Sequence, residues 1–131
     1  MIASGGTFLD KARESLEGAR LAHEGGRFNN SANRSYYACF QAAIHALIVA
    51  GIVVARRDTQ WNHGSIQGQF NGLLINRRHR YSADLRMILS DNYEVRAQAD
   101  YSDNPVSEIV ALRALRRAER FVAAIVQTEG T

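Results

Sequence analysis

One cysteine, one proline and one lysine serve a chain of 131 residues, and each shortage closes off a class of protein. The lone Cys39 excludes an internal disulfide framework and any cysteine-based zinc site. It sits in an apolar helical run, where a small buried thiol is the ordinary reading. A single proline beside ten glycines is incompatible with a low-complexity or disordered chain. Long apolar runs are missing too. The longest mainly apolar stretch, Ala42 to Ala55, is interrupted by His45 and Gly51 and is too short to span a bilayer. The opening MIASGGTFLDKARESLEGAR carries no apolar core of a secretory signal. A cytoplasmic protein without membrane association is the expectation. The four histidines show no metal-ligand spacing, so neither a metal nor another cofactor is expected.

The length suits one domain, and residues 1–131 read as a single unit with its core over about 8–127. Such a chain buries roughly two-thirds of its unfolded surface and needs no covalent staple. Basic residues exceed acidic ones by 16 to 13, and a net charge of +3 is too small to declare a nucleic-acid binder.

Apolar residues recur with helical spacing along the chain. Phe8, Ala12, Leu16 and Ala19 mark a first helix over Phe8 to Ala22, stopped by Gly25-Gly26. A second runs from about Asn29 to Ala50. Ala32, Tyr36, Phe40, Ala43, Ile44 and Leu47 line one face and Tyr37 and Ile48 widen it, so it should be the central helix. Gly51 to Asn62 reads as a loop in which Ile52-Val53-Val54 could hold a short extended piece. A third helix starts near His63 or Ser65 and carries Ile66, Phe70, Leu73 and Leu74 inward. The basic stretch Asn76 to Tyr81 connects it to a fourth over about Ala83 to Ala99, with Leu85, Ile88, Leu89 and Val95 apolar. Asn104-Pro105 is a helix start signal, an N-cap residue followed by proline, and a fifth helix follows with Ile109, Leu112, Leu115, Phe121, Val122 and Ile125. No alternating strand pattern interrupts this series. The expected fold class is all-α, an antiparallel up-and-down bundle of four to five helices.

The end of the fourth helix holds the most informative chemistry: Tyr93, Arg96, Asp100 and Tyr101. Arg96 comes eleven residues after Leu85, about three turns, and so falls on nearly the same azimuth as a core-facing leucine. A charge that leaves water must be paired, and Asp100 one turn later is the partner. The structural reading is an i, i+4 ion pair at a helix end, although base-before-acid is the weaker order. The functional reading is a guanidinium that holds a phosphate by forked hydrogen bonds while neighbouring groups move protons.

A run at the start of the second helix tips the balance toward function. Asn33-Arg34-Ser35-Tyr36-Tyr37-Ala38-Cys39-Phe40 resembles the N-R-x-Y-Y-A-x-F signature of the HEPN superfamily, especially its short stand-alone members. Further blocks agree in order: Glu24-Gly25-Gly26-Arg27-Phe28, His63-Gly64, the Arg96, Asp100 and Tyr101 block, and Ala118 to Val122. The resemblance implies a bundle that usually dimerises, often a metal-independent endoribonuclease and toxin, and often encoded beside a small nucleotidyltransferase partner. Its catalytic signature is an Arg, four to six residues, then a His, with the two copies facing each other across the dimer. There the Arg would stabilise charge on the scissile phosphate and the His would act as acid or base for the 2′-hydroxyl.

This chain departs from that pattern at one place. After four intervening residues the histidine position is Tyr101, and no histidine follows Arg96. A tyrosine with its pKa near 10 is a poor general base at neutral pH, which leaves Asp100, or His63 from the third helix, as candidates. The resemblance also implies that Asn33 meets the Arg-Asp-Tyr block, with Tyr37 beside it.

Two basic groups could follow an RNA backbone or simply be solvated. Arg77, Arg78 and Arg80, with Arg86 and His79, surround the loop before the fourth helix; Arg113, Arg116, Arg117 and Arg120 form a stripe on the fifth. The candidate site therefore comprises Arg96, Asp100 and Tyr101 for chemistry, and Asn33, Tyr37, His63, Arg77, Arg78 and Arg80 for binding. Two functions fit: a metal-independent RNA endonuclease acting as a homodimer, or a non-catalytic module that binds RNA, a nucleotide or a nucleotidyltransferase partner.

Overall fold

The structure, a computed structural model, describes residues 3–52, 56–57 and 60–129. Five α-helices run α1 Ala3–Glu24, α2 Phe28–Val49, α3 His63–Gln69, α4 Ile88–Tyr101 and α5 Glu108–Glu129. The chain is an all-α bundle with α2 at its centre, packed against the other four. Among the described residues no helix is long and apolar enough to cross a membrane.

Small residues make the central position of α2 possible. Ala32, Ala38, Ala42 and Ala43 are fully buried, as are Ala12 and Ala19 on α1, so the two backbones pack closely. Larger groups fill the space on the other side, where Phe70 and Phe121 lie with ring centroids 5.0 Å apart. The two ends that α1 and α2 share with their following loops are built alike. Gly26 (φ +76°) and Gly51 (φ +79°) take the left-handed conformation. After α1, Gly26 N donates to His23 O and Arg27 N to Ala22 O; after α2, Gly51 N donates to Ile48 O and Ile52 N to Leu47 O. Both are Schellman stops.

Three boundaries differ from the sequence expectation. The third helix does not end before Asn76 but continues from α3 as a π-helix over Phe70–Arg77. Its wider turn buries Phe70, Leu74 and Ile75 and leaves Leu73 only half-buried, where an α-helix would have carried Leu73 inward with Leu74. The fourth helix starts at Ile88, and Leu85 belongs to a separate 3-10 turn, Ala83–Leu85. Leu85 and Arg96 therefore do not share one continuous helix, although both point inward. The fifth starts three residues later than Asn104-Pro105 suggested. Val106 is buried, and its N–H donates to Asn29 Oδ1 at 2.9 Å, which pins the connection in non-helical form until Ser107 caps Val110 N. The loop after α2 holds a two-residue antiparallel ladder, β1 Arg56–Arg57 with β2 Gln60–Trp61. Val53 and Val54, proposed as an extended piece, lie outside the described residues.

A buried polar node locks three helices together. Asn92 of α4 is fully buried; its Nδ2 donates to Ala114 O of α5 at 3.1 Å and lies 3.5 Å from Cys39 Sγ of α2. Its Oδ1 accepts from Arg117 Nε at 2.7 Å. Every polar atom of the amide is thus engaged, as burial requires. Burial pushes the Cys39 thiol up to about 12, so it stays protonated.

Candidate functional site

Helices α2 and α4 run antiparallel, so the first turns of one meet the last turns of the other. Cys39 faces Asn92, Tyr37 faces Arg96 and Asn33 faces Asp100, a steady register along the pair. The motif that opens α2 and the block that ends α4, some 60 residues apart in sequence, are therefore one site.

Arg96 is its centre. Its side chain is 18% exposed, and its Nε lies 2.8 Å from Asp100 Oδ2. That N–H is not aimed at the carboxylate, so the contact is a charge pair rather than a directed hydrogen bond. The Nη2 donates to Tyr37 Oη at 3.2 Å. The guanidinium carbon lies 5.7, 5.5 and 5.6 Å from the ring centres of Tyr36, Tyr37 and Tyr101. Desolvation works against its charge, but Tyr37, Asp100 and Tyr101 outweigh it and raise its pKa above the ordinary arginine value. The cation is permanent and held in place from several sides.

Asp100 is engaged on both oxygens. Asn33 Nδ2 donates to Oδ1 at 3.2 Å and to Oδ2 at 3.1 Å, while Asn33 Oδ1 accepts from Arg34 Nε at 3.0 Å and Nη2 at 2.8 Å. Arg34 also lies over the Tyr37 ring at 5.0 Å, its stem passing Gly18. Asp100's side chain is 25% exposed even though the residue, at an open helix end, is exposed as a whole. Tyr101 is the open lip of the site, 77% exposed.

His63, the first residue of α3, joins through aromatic contacts. Its Nδ1 is 2.9 Å from Tyr36 Oη, and its ring stacks on Tyr93 with centroids 4.0 Å apart. Burial holds its pKa below the usual histidine value; a hydrogen bond to Gln67 opposes this and the nearby Arg96 reinforces it. Tyr36, 3% exposed, is raised above the ordinary phenol value by burial first, then by Tyr37. At neutral pH the group is a neutral imidazole against a neutral phenol.

The arginines before α4 lie elsewhere. Arg78 donates to Ala50 O, at the far end of α2 from Tyr37. At a rise of about 1.5 Å per residue that places it roughly 20 Å away. Arg77 and Arg80, its neighbours, are likewise exposed at that end. The α5 stripe is largely spent within the protein: Arg116 on Glu119, Arg117 on Asn92 and Arg120 on Asp84.

Arg34 and Tyr36 join the cluster without being among the candidate site residues, and so does Tyr93, which the sequence singles out beside Arg96 without a stated role. The signal for Tyr93 was its place one turn before Arg96 on the same helix. That for Arg34 was its position inside the α2 motif. Tyr36 read as core, and it is core as well as part of the cluster. Among the described residues, no three histidine, cysteine or acidic groups gather where a metal ion could sit.

No curated protein matches the chain. The HEPN domain family does, over residues 7–128. That span takes in the α2 motif, the Arg96 cluster and nearly the whole of α5, and the chain belongs to the HEPN family.

Proposed function

We propose that this protein recognises a phosphate group of RNA or of a nucleotide at Arg96, with two copies of the cluster brought together in a homodimer. The observation that supports this reading is the Arg96 guanidinium itself. It is inward-facing and permanently charged, clamped by Asp100 and Tyr37 and rimmed by the exposed Tyr101. A planar cation fixed by neighbours loses little freedom on meeting a phosphate. HEPN domains commonly dimerise, which fits a half-site open on one side.

Metal-independent RNA cleavage is the second reading, and His63 favours it. A neutral imidazole in the Arg96 cluster is the protonation state a general base requires. His63 would take the 2′-hydroxyl proton as that oxygen attacks phosphorus, and Arg96 would stabilise the extra charge on the phosphoryl oxygens. The bond from phosphorus to the 5′-oxygen would break, leaving a 2′,3′-cyclic phosphate, and the departing 5′-oxygen would take a proton from water. Asp100, with both oxygens engaged, is then a clamp for Arg96 rather than the base. A toxin role and a nucleotidyltransferase partner rest on family resemblance.

The test is cleavage and binding of a labelled RNA pool in EDTA, with the wild type, Arg96→Ala, His63→Gln and Tyr101→Phe compared. Binding without cutting, lost in Arg96→Ala, supports recognition. Cutting that survives chelation and disappears in both Arg96→Ala and His63→Gln supports cleavage. Equal binding by wild type and Arg96→Ala removes both.

A further inference from the structure

Tyr37 faces two ways. Its hydroxyl accepts from Arg96, while the residue also walls a separate groove between α1 and α2 with a volume of about 400 Å³. Phe8, Lys11, Phe40, Gln41 and Ile44 complete the lining. The volume is in the range that holds a small ligand, and an apolar lining with few polar groups is the usual make-up of such a cavity. Half of the lining is aromatic. The polar members are Gln41 and Lys11, the one lysine of the chain, which is exposed.

Gln41 keeps the groove in shape. With its amide oriented to donate, its Nε2 reaches Ser15 Oγ at 2.7 Å, Lys11 O at 3.0 Å and Tyr37 O at 3.2 Å. One side chain thus ties α1 to α2 along the groove. Phe40 is held from behind by stacking on Tyr36, centroids 5.5 Å apart. The walls are preformed, and little ordering remains for a ligand to bring about.

We propose that this groove takes the base of the nucleotide whose phosphate sits at Arg96, with Tyr37 standing between the two. The inference rests on the phosphate reading above. Its chemistry follows from the division of the site: a nucleotide has one uncharged, flat, π-rich end and one anionic end, and the groove and the Arg96 cluster that share Tyr37 differ in the same way. Aromatic walls accept any base through stacking, with little demand for a particular hydrogen-bond edge. Lys11 at the rim suits the sugar-phosphate backbone. An aliphatic ligand would fill the groove but bring no anion to the adjoining Arg96 cation. A free mononucleotide and a nucleotide within an RNA strand present the same unit.

Protein labelled at isoleucine methyl groups is titrated by NMR with AMP, with tri-adenylate RNA and with inorganic phosphate. The expected result is a set of contacts between adenine protons and the Ile44 methyl for AMP, for the trinucleotide or for both. Contacts with the trinucleotide alone assign the base to a strand, and contacts with AMP assign it to the free nucleotide as well. Phe8→Ala is expected to weaken the binding of that ligand about tenfold while leaving inorganic phosphate unchanged, the loss of one stacking wall. Phosphate binding with no base contact at Ile44, and no effect of Phe8→Ala, overturns the groove and leaves Arg96 as a phosphate site. Base contacts that persist in Arg96→Ala with undiminished affinity retain the groove as a base site but overturn the phosphate reading and its link to the groove. Binding of none of the three probes overturns both.

Discussion

Asn33 holds Asp100 with one amide nitrogen placed almost equally from both carboxylate oxygens, at 3.2 and 3.1 Å. The same side chain accepts from Arg34 through its oxygen. Residue 33 thus joins a cation to an anion and fixes the carboxylate that in turn positions Arg96.

Asn33→Ala is expected to cost about 1 kcal/mol of stability, the usual net worth of such a hydrogen bond. Asn33→Asp should cost more at pH 7, because two carboxylates then face each other. The excess should shrink as pH falls and they protonate. Urea unfolding at pH 7 and pH 4 measures both, and an Asp variant no worse than the Ala variant at pH 7 would contradict the contact.

Arg96→Lys tests the planar fork. A single ammonium cannot serve Asp100, Tyr37 and a phosphate together. RNA or nucleotide affinity should fall about 10- to 100-fold, matching about 1.5–3 kcal/mol for a charge-assisted bond. Fluorescence anisotropy at fixed salt reads it, and an unchanged affinity would place the ligand elsewhere.

Asn92→Leu removes an amide that burial surrounds completely, takes the second donor from Ala114 O and leaves Arg117 Nε without its acceptor. The expected loss is about 2–4 kcal/mol. Since Asn92 lies on the opposite side of Tyr93 and Arg96 from Asp100, affinity per folded molecule should hardly change. Denaturant midpoints and anisotropy separate the two effects.

His63 gives a signature in acid. Its pKa is lowered in the folded state, so below the ordinary histidine value of 6.5 the unfolded chain binds more protons than the folded one. Stability contributed by the neutral imidazole is present above pH 6.5 and is lost as pH falls below it. His63→Gln should flatten the stability profile in that window and leave it alone above. An NMR titration of the His63 ring in the folded protein checks the direction independently.

Cys39, buried and with its pKa raised to about 12, should resist iodoacetamide in the native protein at pH 8 and react once urea unfolds it. Equal rates in the two states would contradict its burial.

The all-α class and the central place of α2 were legible because burial on a helix leaves a 3.6-residue imprint in the sequence, dense in α2 and clear in α5. What was not legible was set by contacts distant in sequence. Val106 is held by Asn29, 77 residues away, and that bond delays α5 past a valid start signal. The π turn was hidden for a related reason: Phe70, Leu73 and Leu74 read equally well as α spacing, and only packing puts Ile75 inward in place of Leu73. In the site, the partners Asn33, Tyr37, Arg96 and Asp100 could be named from their residue types and the motifs. The loop arginines could not be placed, since nothing local says at which end of α2 they lie.

The π-helix also amounts to slack in the chain. Its i to i+5 bonds take up one residue more than an α-helix would over the same span. A Cβ built on Gly72, within it, meets nothing within 4 Å. A chain one residue shorter there could wind as plain α-helix, turning the downstream backbone by about 100°. The exposed connection from Arg78 to Arg80 could take up that rotation. His63, upstream of the slack, would keep its place beside Tyr36, while Arg96 and Asp100, downstream of it, would keep theirs only as far as that connection absorbs the turn.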